Sequence, residues 1–238
     1  MKTFIDIHSH ILPGVDDGSK TYEHSIGILK QMEECSVTDV FLTPHYCKRR
    51  KYITPVGKIK SVYRDFSQKI REAGININLH LGTEMEFSQD GARYIKEGRV
   101  LKLGNSNCVL VEFPPYVDFT TVFRAVVEIC SLGIVPIIAH VERYPKIIKD
   151  AEAVSKLKEA GAYLQLNVRS LCYISLGMRK HLKRLIVNRN IDFLGGDVHI
   201  NALEKKEIEK CSKFILKYAN EDYLNALMYE NAKKILLR

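Results

Sequence analysis

The chain has 238 residues, 46% of them hydrophobic and 27% charged, which is the composition of a folded globular protein and excludes wholesale disorder. Its net charge of +8 favours anionic partners in general, but no basic stretch carries interleaved aromatic residues at a recognisable spacing, so we do not expect nucleic-acid binding. Six scattered cysteines form no C-x-x-C pair, no signal peptide is visible, and no apolar run approaches the roughly 20 residues of a membrane span. These absences predict a cytoplasmic protein without membrane insertion, a disulfide framework or a zinc ribbon.

Short apolar runs alternate along the chain with longer segments of helical spacing, which is typical of βα units and a parallel sheet. In chain order, strands are predicted over residues 3–8, 39–43, 75–81, 108–111, 134–138, 163–166 and 192–194, with a small additional strand around Val100–Leu103. Helices are predicted over about 21–35, 56–73, 89–96, 120–131, 151–159, 178–187, 202–219 and 222–237. No linker divides these units, so the sequence predicts one domain over residues 1–238 with an α/β fold. We expect a distorted TIM-like (β/α)7 barrel, with an open doubly wound sheet as the alternative.

Residues able to bind metal ions are concentrated where the predicted strands end. The first strand ends in Asp6-Ile7-His8-Ser9-His10, and side chains two apart in a strand point to the same face, so both histidines project together. Active sites of βα barrels lie at the carboxyl ends of the strands. The later strands end, in order, at His45, Glu84, Glu112, His140, Asn167, and Asp197 with His199. Five of the eight histidines therefore lie at strand ends, whereas His24, His181 and His80 are interpreted as structural.

The side chains at these strand ends offer imidazole nitrogens and carboxylate oxygens, a mixture that suits manganese, iron or zinc. They outnumber the roughly four to six ligands of one ion, so we expect a multinuclear site in which a carboxylate such as Glu84 bridges two ions. Such a site activates water and stabilises the attacking and leaving oxygens in phosphate-ester hydrolysis. No C-x5-R, G-x-x-x-x-G-K-[ST] or G-x-S-x-G motif is present, which leaves metal-bound hydroxide as the expected nucleophile.

Basic residues beside the strand ends are candidates for binding the phosphate. Arg143 lies three residues after His140, and its planar guanidinium suits a phosphoryl group; pairing with Glu142 or another acid is the alternative. The basic loop Lys48–Lys51 follows His45 and either attracts an anionic substrate at the rim of the site or is an ordinary solvated charge run.

Several of these segments together resemble a known superfamily. They are H-S-H-I-L-P-G-V-D-D-G, T-P-H-Y, G-T-E, V-E-F, A-H-V-E-R-Y and G-D-V-H, in this order. The chain resembles the PHP superfamily (polymerase and histidinol phosphatase), and more closely its bacterial metal-dependent tyrosine-protein phosphatase branch, associated with capsular and exopolysaccharide synthesis. The likeness runs from the first strand through His199.

The resemblance implies the PHP fold, a distorted barrel, and three divalent ions, with manganese expected and iron or zinc as alternatives. It implies one ion held by His8, His10, Glu84 and Asp197, a second by Glu84, Glu112 and His140, and a third by Asp17, His45 and His199. Arg143, His45 and His199 are the residues predicted to act in catalysis. The choice of Asp17 over Asp16, and of Glu84 over Glu86, rests on the resemblance, because spacing alone does not separate them.

The implied activity is hydrolysis of phosphotyrosine in a protein, typically the tyrosine-rich tail of a bacterial tyrosine kinase of polysaccharide assembly. Two alternatives stay open from the sequence. One is the same chemistry on a small phosphomonoester such as histidinol phosphate. The other is a non-enzymatic, metal-retaining binding module that acts through its basic surface.

Overall fold

The computed structural model describes residues 3–237 of the chain. Within that range the strands are β1 (Phe4–Ser9), β2 (Val37–Leu42), β3 (His45–Tyr46), β4 (Asn78–Leu81), β5 (Glu84–Glu86), β6 (Cys108–Glu112), β7 (Val135–Ile138), β8 (Tyr163–Asn167) and β9 (Phe193–Gly195). The helices are α1 (Tyr22–Glu34), α2 (Val56–Glu72), α3 (Gly91–Lys96), α4 (Phe119–Cys130), α5 (Pro145–Ile148), α6 (Ala151–Glu159), α7 (Val168–Cys172), α8 (Leu176–Val187), α9 (Lys205–Leu216), α10 (Glu221–Asn225) and α11 (Asn231–Leu236). A 3-10 turn covers Val141–Arg143, and a π-helical segment, Ala226–Glu230, joins α10 to α11.

The strands form a barrel of seven parallel positions, two of which are interrupted. One sheet has the order β1-β2-β4 and the other β3-β5-β6-β7-β8-β9, with every pair parallel. β3 continues β2 after Pro44, which has no N–H for the ladder, and β5 continues β4 after Gly82 and Thr83. The Gly82 N–H still donates to the Leu42 carbonyl (2.9 Å), so the two sheets form one continuous curved surface.

Backbone hydrogen bonds close the barrel between the segment after β9 and β1. Asp197 N–H donates to the His8 carbonyl (2.8 Å), and His10 N–H donates to the Val198 carbonyl (2.7 Å). A parallel bridge links Ser9 and Val198 in the same place. The predicted distorted barrel is therefore confirmed, and the open-sheet alternative is wrong.

The helices form where the sequence gives them an apolar stripe and a cap. α2 buries Ile59, Val62, Phe66 and Ile70, which recur every three or four residues along one face. The Asp118 carboxylate accepts a bond from Thr121 N–H (2.9 Å) at the start of α4. The predicted helices are present, with shifted ends, whereas the short α5 and α7 were not predicted.

The small strand expected around Val100–Leu103 is absent, and that prediction was wrong. Val100 and Leu103 are buried, as their apolar character suggested. The backbone, however, does not pair with a neighbouring strand: Leu101 N–H donates to the Thr83 hydroxyl (3.2 Å), and Leu103 N–H donates to the Cys108 carbonyl (2.9 Å). Burial of a loop can thus give the same apolar pattern as a strand.

Two groups of buried side chains surround the sheet. The larger one fills the space between the strands and the outer helices. The smaller one joins alternate strand residues to the last helix, and its members include Ile5, Ile7, Phe41, Cys108, Leu110, Ile137, Phe193, Ala232 and Leu236. Because Cys108 and Phe193 begin their strands, the last helix packs at the amino-terminal end of the barrel. The carboxyl ends of the strands are left open at the other end. Among the helices of residues 3–237, none has the length and apolar character needed to cross a membrane.

Candidate metal centre

The open end of the barrel brings together candidate metal-binding side chains from six strand positions. His8 lies in β1, and His10 follows it directly. The two short strands β3 and β5 align their candidate ligands, because His45 at the start of β3 pairs with Glu84 at the start of β5. Glu112 ends β6, and His140, Asp197 and His199 come from the turns after β7 and β9. Carboxyl ends of parallel strands meet at one rim, which is why residues far apart in sequence converge here.

Glu84 lies at the middle of the cluster and is fully buried. Its Oε2 atom is 3.2 Å from Nε2 of both His8 and His10, and those two nitrogens are 3.1 Å apart. Asp197 Oδ1 lies 3.5 Å from the same two nitrogens. On the other side, Glu84 Oε1 is 2.9 Å from His140 Nε2. Glu84 is therefore placed between two sets of imidazoles, as a bridging carboxylate would be.

His45 connects the remaining carboxylates to this centre. Its Nδ1 is 3.1 Å from Glu84 Oε2 and 3.2 Å from Glu112 Oε1, and its Nε2 is 3.5 Å from Asp17 Oδ1. His199 Nε2 lies 3.6 Å from the same Asp17 atom. Three groups of side chains thus have ligand atoms close enough to share an ion: His8, His10 and Glu84; His45, Glu84 and Glu112; and His10, Asp17, His45 and His199.

Two carboxylate oxygens in the cluster are buried without any hydrogen-bond partner. They are Glu84 Oε2 and Asp17 Oδ1, although histidine nitrogens lie near both of them. A buried carboxylate oxygen in this situation is costly unless a cation satisfies it. The nitrogen and oxygen donors, their number and these two oxygens fit divalent metal ions.

Hydrogen bonds on the far side of the imidazoles aim their inner nitrogens at the cluster. Asp16 Oδ2 is 2.8 Å from His10 Nδ1, and Gln165 Oε1 is 3.2 Å from His8 Nδ1. Both partners are acceptors, so each ring keeps a proton on Nδ1, and its Nε2 can bind a metal ion once the proton that it shares with the carboxylates is lost. These orienting residues were missed or left undecided from the sequence, but Gln165 lies two residues before the strand-end Asn167 and shares its face.

The histidines of the cluster stabilise the ionised form of its buried carboxylates. Burial alone would raise the pKa of Glu84, but His8, His10, His140 and His45 hold that pKa well below its usual value. Burial would likewise raise the pKa of Asp197, and His8 and His10 instead lower it strongly. Both carboxylates are therefore ionised at neutral pH, which is the form that binds metal.

Two of these side chains stand on an unusual backbone. His140 has φ of 33° and ψ of 56°, and Asp197 has φ of 49°, so both are in the left-handed region that non-glycine residues rarely adopt. His140 is fixed there by its N–H, which donates to Gln165 Oε1 (2.8 Å), and by its Nδ1, which lies 3.2 Å from the Tyr144 hydroxyl.

Comparison with known proteins agrees with this geometry. The model of the family "Capsular polysaccharide synthesis, CpsB/CapC" matches residues 4–237. The chain belongs to the CpsB/CapC family. The tyrosine-protein phosphatase CpsB of Streptococcus agalactiae is 28% identical over 240 residues, which cover 98% of each chain. The tyrosine-protein phosphatase YwqE of Bacillus subtilis is 25% identical over 237 residues, covering 98% of this chain and 91% of YwqE.

Two solved structures have a fold similar to that of this chain. A structure from the work on YwqE from Bacillus subtilis and CpsB from Streptococcus pneumoniae, described as unique metal-dependent tyrosine phosphatases, superposes with a TM-score of 0.86 at 24% identity, covering 98% of this chain and 94% of that one. A histidinol phosphate phosphatase from Lactococcus lactis, solved with zinc, L-histidinol and phosphate, superposes with a TM-score of 0.60 at 15% identity, covering 92% and 94% of the two chains. The resemblance predicted from the sequence motifs is confirmed at the level of family and fold.

In this CpsB/CapC-family protein, Arg143 lies at the edge of the cluster. Its Nη2 donates to Asp197 Oδ2 (2.5 Å), while about half of its side chain, 49%, is exposed. Arg143 is thus paired with an acid, as one reading of the sequence allowed, but that acid is the candidate ligand Asp197 rather than the neighbouring Glu142.

Arg50 also reaches the cluster, and the sequence did not single it out from its basic neighbours. Its Nη2 donates to Glu112 Oε1 and lies 3.2 Å from His45 Nδ1, and its Nη1 is 3.7 Å from Asp17 Oδ2. No motif distinguishes Arg50 from the adjacent Arg49, because only the shape of the turn decides which side chain points inward.

The carboxylates that spacing left undecided have separate positions. Asp16 contacts His10 Nδ1 and accepts the His45 N–H (3.0 Å), so it supports two ligands from behind. Glu86 pairs with Arg49 outside the three groups, with an Nη2–Oε2 distance of 2.7 Å. Asp6 accepts hydrogen bonds from the N–H groups of His8 (3.1 Å) and Gly196 (2.7 Å) and belongs to none of the three candidate ion groups.

Proposed function

We propose that this protein is a metal-dependent protein-tyrosine phosphatase, a phosphoric monoester hydrolase. The observation that carries the proposal is the convergence of five histidines and four carboxylates at the barrel mouth of a chain in the CpsB/CapC family. Its relatives of nearly equal length carry the name tyrosine-protein phosphatase. The enzyme class predicted from the sequence agrees with those names.

Three divalent ions, manganese foremost, are proposed for the cluster. One is assigned to His8, His10, Glu84 and Asp197; one to Glu84, Glu112 and His140; and one to Asp17, His45 and His199. His45 lies closer to Glu84 (3.1 Å) and Glu112 (3.2 Å) than to Asp17 (3.5 Å), so its assignment to the third ion follows the resemblance and not the distances. When bound, such ions acidify water and neutralise charge on phosphoryl oxygens.

The residues of the chain then prepare the site for that chemistry. Asp16 and Gln165 keep the protons of His10 and His8 on Nδ1, so that the Nε2 atoms stay available. Arg143 binds the equatorial oxygens of the phosphoryl group with its planar guanidinium. Proposed catalytic roles for His45 and His199 follow from their place beside Asp17 at the less buried side of the cluster.

The proposed substrate is a phosphotyrosine-bearing protein, namely a bacterial tyrosine kinase of capsule or exopolysaccharide synthesis. The family description and the names of the relatives support this assignment. We further propose that residues 1–238 act as one PHP-type phosphatase domain and that the protein works in the cytoplasm, where such a kinase tail would be reached.

The direct test is phosphate release from a tyrosine-phosphorylated peptide by Mn²⁺-reconstituted protein. His140→Ala removes a buried ligand and is expected to lower kcat/KM by about two orders of magnitude or more. His181→Ala, on α8 and outside the cluster, is the matched control and is expected to retain wild-type kcat/KM. Full turnover in excess chelator would contradict the metal requirement.

The same assay separates the two rival functions. A kcat/KM for histidinol phosphate above that for the phosphotyrosine peptide would favour the small-molecule activity. A metal-retaining binding module would bind Mn²⁺ but release no phosphate from either compound. Arg143→Ala, expected to retain its ions and lose turnover, ties the activity to the site rather than to a contaminant.

A further inference from the structure

A short basic turn is fastened beside the metal-ligand cluster. Cys47 and Tyr52 bond to each other through both backbone pairs, with N–O distances of 2.7 and 2.9 Å, and close the turn of residues 48–51. The Tyr52 ring lies parallel to the His45 ring, with centroids 5.6 Å apart and an interplanar angle of 15°. The position of the turn is therefore tied to a candidate ligand.

The basic side chains of this turn have different partners. Lys48 lies over the Tyr94 ring, with its Nζ 4.6 Å from the centroid. Arg49 forms a two-pronged pair with Glu86 and has a side chain that is 65% exposed. Arg50, at 31% exposure, also approaches Glu86, with its Nε 3.9 Å from Oε2, but the end of its guanidinium turns toward the ligand cluster.

Arg50 contacts oxygens that metal ions would also use. Its Nη2 bonds to Glu112 Oε1, which belongs to one candidate ion group, and its Nη1 faces Asp17, which belongs to another. A guanidinium and a divalent cation repel each other when both approach the same carboxylate oxygen. Metal binding at these oxygens would therefore release Arg50 from them while leaving it anchored at the mouth of the site.

Arg50 and Arg143 lie at opposite ends of one chain of contacts. Arg143 bonds to Asp197, Asp197 approaches His8 and His10, and these approach Glu84. Glu84 then leads through His45 to Glu112 and Arg50. A phosphoryl group over the cluster would therefore have one guanidinium beside Asp197 and a second beside Glu112. Both guanidinium groups are planar, and each can donate two parallel hydrogen bonds to a pair of phosphate oxygens.

We propose that Arg50 is a second phosphate-binding residue, which exchanges Glu112 and Asp17 for the phosphoryl oxygens of the substrate when metal ions occupy those carboxylates. That the bound anion is the phosphoryl group of a substrate rests on the proposed function. The test is independent of the proposed function, because it uses only Mn²⁺ and inorganic phosphate.

The test compares Arg50→Gln with Arg49→Gln in the full chain, since both remove one positive charge from the same turn. Calorimetric titration measures Mn²⁺ binding to chelator-treated protein and inorganic phosphate binding to Mn²⁺-loaded protein. Arg50→Gln is expected to bind Mn²⁺ about fivefold more tightly, because the competing cation is gone. It is expected to bind phosphate about tenfold more weakly, because a charge-assisted pair is lost.

Arg49→Gln is expected to stay within about twofold of wild type in both titrations, because its charge is exposed and screened. Unchanged or weaker Mn²⁺ binding by Arg50→Gln overturns the inference, as does unchanged phosphate binding or an equal loss of phosphate affinity in both variants. A misfolded site would lose both ligands and so cannot imitate the expected opposite changes. Expected binding without phosphotyrosine hydrolysis would contradict the proposed function and leave this inference standing.

Discussion

Two adjacent aspartates in the first turn have different parts in the candidate site. Asp16 is buried behind His10, with its Oδ2 atom 2.8 Å from Nδ1 of that ring. Asp17 points its Oδ1 atom at His45 and His199 from the other side. Spacing in the sequence could not separate them, because neighbouring residues in a turn diverge according to its backbone angles. Asp16 is therefore suited to orienting the candidate ligand His10, and Asp17 is suited to binding a metal ion itself.

Asparagine substitutions separate these two roles. Asp17→Asn is expected to reduce the number of bound Mn²⁺ ions by one, because a ligating carboxylate is lost. Asp16→Asn is expected to keep the wild-type number and to weaken binding by about 10- to 100-fold, because His10 is less well oriented. Ion content by mass spectrometry, with a Mn²⁺ titration, measures both quantities. Loss of an ion in Asp16→Asn but not in Asp17→Asn would reverse the assignment.

At the scale of strands and helices, the strand-end rule accounts for most of the site. His8, Glu112 and His140 could be placed from the sequence because apolar runs end beside them, and parallel strands end at one rim. The breaks at Pro44 and Gly82 could not be placed, although they start the short strands that align His45 with Glu84. The inward direction of Arg50 could not be predicted either, since it depends on the backbone angles of the turn that Cys47 and Tyr52 close, and these have no periodicity in the sequence.

One pair between strands makes a pH-dependent contribution to stability. Asp39 on β2 and His80 on β4 lie 2.9 Å apart, away from the metal ligands. Burial would raise the pKa of Asp39, but the hydrogen bond with His80, helped by the nearby polar side chains of Thr38 and Asn78, outweighs burial and lowers that pKa. A lowered pKa means that the stabilisation is present above the unfolded value of about 4 and is lost as pH falls through the folded value.

Asp39→Asn is accordingly expected to lower the free energy of unfolding by about 1 kcal/mol at pH 7, with the difference from wild type narrowing toward pH 3. Urea unfolding of chelator-treated protein at several pH values provides the measurement. Asp65→Asn, an exposed position on α2, is the control and is expected to change little. A difference that is constant with pH would contradict the charge-based account.

At the scale of the whole molecule, the barrel is closed at one end and open at the other. Leu236 of the last helix is 1% exposed and belongs to one buried cluster with strand residues that include Ile5 and Leu110. The candidate metal centre lies at the opposite rim. Stability and metal binding should therefore be separable by substitutions at the closed end.

Leu236→Ala is expected to lower the free energy of unfolding by about 3 kcal/mol, because it removes buried methyl groups and leaves a cavity. The number of bound Mn²⁺ ions in the folded protein is expected to stay at the wild-type value. Leu216→Ala, at a position that is 36% exposed, is the control and should cost far less. Urea unfolding and metal analysis of the same samples test both expectations, and a lost ion in Leu236→Ala would show that the two ends are coupled.

The left-handed backbone of His140 and Asp197 affects which residues evolution is expected to keep at these positions. A histidine in this conformation costs about 1 kcal/mol or more relative to glycine, and aspartate tolerates it better. Natural selection has reason to keep a histidine at position 140 only while its side chain is needed. In a lineage that had abandoned catalysis, drift to glycine or asparagine there would increase stability. A relative that retains histidine on such a backbone is therefore expected to have kept its metal site, and a relative with glycine there is expected to have lost it.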